Sequence, residues 1–226
     1  MYTSCGWFFD DISGIETVQV IMYAARAAQL ARMLFDEDLE TPLKERLEAA
    51  KSNVAEAGTG RTIYEKRIEP VTLDLLRVGA HYAVSSLFSD YPEEAEVHCY
   101  DAKSLAREEL HSGRLRLGIG RAIITSKITR ESATVSYAAL HFGDHNVACG
   151  VRDFIGPDAF DTVRAELCAA FSRSDVPEVI RLIDRHFGDR TFSMRSLFRD
   201  EQRRLMELLL EGPLAKAGAV YRGVYE

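Results

Sequence analysis

From Arg114 to Phe154 the chain reads in twos. In "RLRLGIG", Leu115, Leu117 and Ile119 alternate with Arg114, Arg116 and Gly118, the period of a strand with one buried face. "RAIITSKIT" is rich in β-branched residues, and "ATVSYAALHF" and "VACGVRDF" follow. Between them, Arg130-Glu-Ser132 and "GDHN" read as short polar turns. Such turns join strands running in opposite directions, whereas a parallel crossover needs a dozen or more residues. The pattern predicts an antiparallel meander, beginning near Val97, around which the rest of the chain must pack.

On both sides the period is helical. Ser13-Gly-Ile-Glu16 has the form of a capping box. Behind it Ile15, Val18, Met22, Ala25 and Ala28 recur at helical spacing to about Phe35. Thr41-Pro42 predicts a second helix ending at Gly58. "RTIYEKRI" predicts a short one, with a boundary at Glu69-Pro70. Leu73, Leu76, Ala80, Val84 and Leu87 then form an apolar stripe that Asp90-Tyr-Pro92 ends. Beyond Gly156-Pro157, Phe160, Val163, Leu167 and Phe171 line one helix. Asp175 caps the next, with Glu178 in the reciprocal position and Gly188 closing it, and "FSMRSLFRDEQRRLMELLLEG" predicts a last helix. The class is α+β: N-terminal helices over 1–95, an antiparallel sheet over 96–156 and C-terminal helices over 157–226, in one compact unit.

Composition narrows the function classes. Of 226 residues 46% are hydrophobic and the net charge is −7, an ordinary globular balance without the clustered positive field that nucleic acid requires. No apolar run reaches the roughly 20 residues that span a bilayer, and no basic-then-apolar signal opens the chain. Cys5, Cys99, Cys149 and Cys168 lack CxxC spacing and read as reduced thiols. A cytoplasmic protein with no nucleic-acid or membrane partner is the expectation.

Four constellations could carry chemistry. Trp7-Phe8-Phe9-Asp10-Asp11 holds the only tryptophan. Its bland reading is core aromatics with aspartates at a helix entrance. Its functional reading is a saccharide site, where a ring stacks on a pyranose and carboxylates accept from hydroxyls. Neighbouring aspartates point apart, so they make a poor acid/base pair. His141, Asp144 and His145 in "HFGDHN" offer metal-ligand types, although the same letters describe a polar hairpin turn. His81 lies on an apolar helix, where a hydrogen-bonded core role competes with donation into a cleft, and His98 beside Cys99 is weaker still. Arg195, Arg199, Asp200, Arg203 and Arg204 read as a solvated, salt-linked face or an interdomain ion pair, with Asp200 pairing to Arg204. "GIG" at Gly118–Gly120 is not a phosphate loop and no GxSxG elbow occurs. No cofactor is expected.

"MYTSCGWFFDDISGIETVQVIMYAARAAQLA", with "VGAHYAVSSLF" and "SLFRDEQRR", resembles the C-terminal domain of unknown function (3536) found in a branch of glycoside hydrolase family 57-like proteins. In such proteins a (β/α) barrel with a glutamate nucleophile and an aspartate acid/base comes first, and a helical region walls its cleft. In α-glucan branching members a Ser-Ser-Asp-Trp-Pro-Phe stretch holds an aromatic near that cleft. Ser4-Cys5-Gly6-Trp7-Phe8 is similar in placement, with Cys5-Gly6 for Ser-Asp and Phe8 for Pro.

The resemblance implies that Met1 is internal to a longer parent and that the catalytic carboxylates lie outside this chain. Trp7, Phe8, Asp10 and Asp11, with His81, would then contribute to an oligosaccharide site against the barrel. Two other expectations stay open: an independent metal-dependent enzyme using His141, Asp144 and His145, and a purely structural domain.

Overall fold

The meander forms, and it is longer than its alternating core. In the computed structural model, which describes residues 5–188, 191–194, 197–207 and 209–210, six strands pair antiparallel in chain order. They are β1 (Glu94–Val97), β2 (Tyr100–Ser112), β3 (Leu115–Ser126), β4 (Ser132–His141), β5 (Val147–Asp153) and β6 (Thr191–Phe192). Gly113, at φ 61°, opens the two-residue connection between β2 and β3. "GDHN" is a turn as expected: Phe142 N–H donates to Asn146 O at 3.1 Å, and Asn146 N–H to Gly143 O at 3.0 Å.

The helices are α1 (Cys5–Phe8), α2 (Ile15–Phe35), α3 (Glu40–Leu47), α4 (Gly60–Ile63), α5 (Leu75–Ser86), α6 (Pro157–Ser172) and α7 (Val176–Phe187). Residues 199–207 are also helical. The elements divide into two units, Met1–Thr72 and Leu73–Glu226. Helix α5, grouped by the sequence reading with residues 1–95, therefore belongs with the sheet.

In the first unit the core is Ile21 and Ala25 of α2 against Tyr64 and Ile68, with Met22, Leu43 and Leu47 around them. Tyr64–Ile68 is a π-helical turn followed by a 3-10 turn at Glu69–Val71, which absorbs the break that Pro70 imposes. Lys44 sits between Glu40 and Glu69 and over the Tyr64 ring at 5.1 Å. Two expectations are corrected. Helix α3 stops at Leu47 instead of Gly58, because the following chain turns back so that Gly60 N–H can donate to Ala50 O at 2.8 Å. The capping box does not form: Gly14 is the N-cap of α2, and Ser13 N–H donates to Asp11 Oδ1 at 2.7 Å.

In the second unit both faces of the sheet are covered, which corrects the one-face expectation. Val135, Tyr137, Ala139, Cys149 and Val151 pack with Val78, Tyr82 and Val84 of α5, and with Met194, Leu197 and Leu205. Leu117, Ile119, Ala138 and Leu140 pack with Phe160, Val163, Leu167 and Phe171 of α6 and with Ile183 and Phe187 of α7. Helix α5 is capped by Asp74, whose carboxylate accepts from Arg77 N–H at 2.7 Å, and every residue from Val78 to Ser86 is buried. Gly118 and Gly120 make room on this face: a Cβ on Gly120 would sit 2.4 Å from Tyr137 Oη, and one on Gly118 2.9 Å from Leu87.

Asp175 caps α7 by accepting from Glu178 N–H at 3.2 Å, and Gly188 closes it at φ 59°. Glu178 pairs with Arg181 at 2.6 Å instead of returning to the cap. The last helix starts later than expected, because Thr191–Phe192 adds to β5 as an edge strand. Arg204 pairs with Glu201 at 2.8 Å through Nε and donates to Ser89 Oγ at 2.7 Å, so the expected Asp200 pairing gives way to a three-residue spacing. Cys99, Cys149 and Cys168 are free thiols. Among the described residues no helix is long and apolar enough to cross a membrane.

Candidate functional site

The aromatic-acidic stretch runs from the end of α1, which holds Trp7 and Phe8, into the connection to α2, which holds Phe9, Asp10 and Asp11. Phe8 is 70% exposed and Phe9 45% exposed, their rings edge to face at 5.4 Å. Two adjacent phenyl rings with this much exposed surface are unfavourable, and such patches mark contact surfaces. Asp10 beside them is exposed, and its carboxylate holds no hydrogen bond or ion pair among the described residues. The Trp7 side chain, the centre of the sequence-based site, lies outside the described residues.

Asp11 has a different job. Its carboxylate accepts from Ser13 N–H, from Ser52 Oγ at 2.9 Å and from Asn53 N–H at 2.6 Å, while Asn53 Nδ2 donates to Asp10 O at 2.7 Å. These donors, Ser13 foremost, hold the carboxyl well below the usual carboxylate range. The bonds pin the turn to residues 52–53 and fix the direction in which Phe8, Phe9 and Asp10 project. Asp11 is thus the anchor of the patch, and Asp10 is its exposed acid.

His81 stands in the second unit, buried in α5. Its Nδ1 accepts from Phe198 N–H at 3.4 Å, and the Phe198 and His98 rings lie 4.4 Å and 5.9 Å away. Burial pulls its pKa down to about 4, against an opposing pull from Glu201. It is a neutral core imidazole that ties residue 198 to α5.

His141, Asp144 and His145 do not converge as side chains. His141 Nε2 bonds the backbone carbonyl of Asp144 at 2.9 Å, its ring meets Phe88 at 5.0 Å, and its Nδ1 is buried without a partner. His145 is exposed and borders a cavity with Met194, Arg199 and Met206. Among the described residues no group of three His, Cys, Asp or Glu side chains could hold a metal.

Sequence reading passed over two participants. Phe9 stands in the sequence only as a neighbour of Trp7, and Arg121 carries no motif of its own. Arg121 had a signal: it continues the Leu117-Ile119 face of β3, so a charge was bound to meet α6.

With this geometry in view, one family profile matches the chain, described as Domain of unknown function (DUF3536), over residues 1–198. The chain belongs to the DUF3536 family. Neither the curated proteins nor the solved structures contain a match. The DUF3536 match takes in the Phe8–Asp11 turn, His81 and the β4–β5 turn alike.

Proposed function

We propose that this DUF3536 chain is the non-catalytic accessory domain of a glycoside hydrolase family 57-like, carbohydrate-active protein. In this reading the turn bearing Trp7, Phe8, Phe9 and Asp10 forms one wall of an oligosaccharide cleft, and a catalytic barrel on the parent supplies the other wall and the reacting carboxylates. The observation that carries it is the exposed Phe8–Phe9 pair beside an exposed Asp10 that the fold leaves unused. Apolar C–H faces of a sugar stack on such rings, and a carboxylate accepts from its hydroxyls. His81 is left out of the cleft, because it is buried and its Nδ1 is occupied.

Further support comes from the end of α2, where Leu34 is 71% and Phe35 73% exposed. Apolar residues this exposed suit a docking surface for the barrel. The reading is tested by titrating maltoheptaose into the full-length parent while following tryptophan emission. Quenching that disappears in Trp7→Phe supports it; quenching unchanged by that substitution counts against it.

A further inference from the structure

On β3, Leu117 and Ile119 meet α6 and α7, and Arg121 follows on the same face. Its guanidinium lies over two rings, 5.0 Å from the centroid of Phe154 and 5.3 Å from that of Phe160. Its Nε is buried without a hydrogen-bond partner, and no carboxylate pairs with it among the described residues. The two rings stabilise the cation, while its buried Nε–H is left without an acceptor, a donor that an anion can satisfy.

Beside it opens a cavity of about 250 Å³ bordered by Glu108, Ile119, Phe160, Asp161 and Arg164, room for on the order of eight waters or one small ring. Arg164 divides its charge between Glu108 at 3.3 Å and Asp161 at 3.5 Å. Both carboxylates remain partly exposed, at 39% and 62% of their side chains, and retain lone pairs. Helix α6 starts at the same place: Pro157 borders the cavity and the N-cap Gly156 supplies no side-chain acceptor. The positive end of the helix therefore adds to the field of Arg121.

We infer that this cavity binds a small polyhydroxylated carboxylate of the sugar-acid class. The carboxylate pairs with Arg121, and hydroxyls donate to Glu108 and Asp161. A neutral sugar leaves the cation unpaired. Phosphate brings a second negative charge toward Glu108 and Asp161 and few donors for them. The site lies within the second unit and stands independently of the Phe8–Asp10 patch.

The test uses the intact chain with sodium D-glucuronate, D-glucose and inorganic phosphate as probes at fixed ionic strength, read by amide NMR. Glucuronate shifts the amides of Asp158 to Asp161 saturably, and the other two probes bind at least about tenfold more weakly. Arg121→Lys keeps the charge but loses the planar fork, and weakens glucuronate by about tenfold or more. Should that variant not fold, the probe ranking and the amide map on the wild type still decide. No saturable glucuronate shift, shifts confined to other residues, or glucose or phosphate binding as tightly as glucuronate would each overturn the proposal.

Discussion

Asp11 and Asn53 meet at 2.6 Å, backbone N–H to carboxylate, across 42 residues of chain. With Ser13 and Ser52 as further donors, this bond holds the aromatic turn to the body of the first unit. Because these donors favour the ionised form, the folded pKa lies below the unfolded value of 3.8. The stabilisation is complete above the unfolded pKa and is lost as pH falls through it toward the folded one. Thermal melts of the first unit are expected to decline below about pH 4, and Asp11→Asn to lose most of that decline while melting lower at pH 7.

His81 gives the second unit a separate acid sensitivity. Its pKa of about 4 when folded lies below about 6.5 when unfolded, so the unfolded chain binds the extra proton in between. Stability is therefore expected to fall as pH drops from about 7 to 4, by on the order of 3 kcal/mol at the limit. Glu201, Arg204 and His98 face the same ring and modulate the size of the effect. His81→Phe preserves a ring against Phe198 and should flatten this interval in urea titrations run at successive pH values.

Gly120→Ala tests the close approach on the α5 face of β3. The added methyl would meet Tyr137 Oη at 2.4 Å and the Ala106 carbonyl at 2.6 Å; the carbonyl cannot withdraw without moving β2, and the Tyr137 ring is buried in the core. A loss of about 1–3 kcal/mol is expected from overpacking, read as a lower urea midpoint. The same change at Gly113 meets nothing within 4 Å, but its φ of 61° is strained for alanine, so a loss below that at Gly120 is expected there.

Much of the fold was legible because several residues repeat one message. Phe160, Val163, Leu167 and Phe171 name the buried face of α6, and Asp175 and Gly188 mark both ends of α7. The strand β2 was not legible. Its outward residues are charged and pair laterally, as Lys103 does with Glu94 at 2.7 Å, so no apolar alternation marks it. The second covered face of the sheet was hidden for the opposite reason: Gly118 and Gly120 look like an absent core until Leu87 and Tyr137 are seen to fill the space above them. Ser13 and Glu16 fit a capping box locally, yet Asp11 competes for Ser13, and tertiary ties to Ser52 and Asn53 decide the outcome. The patch itself could be found from "WFFDD", whereas the split between an anchoring Asp11 and an exposed Asp10 depends on residues 52–53.

The central claim, that the Phe8–Phe9–Asp10 surface is a saccharide wall, is tested most directly by calorimetric titration of maltoheptaose into the barrel-bearing protein proposed above and its Phe8→Ala/Phe9→Ala double variant. Both rings are exposed, so the substitutions should leave the melting temperature nearly unchanged. The account predicts affinity weaker by about tenfold or more, the scale set by losing two stacked rings. Equal affinity in the two proteins would contradict it.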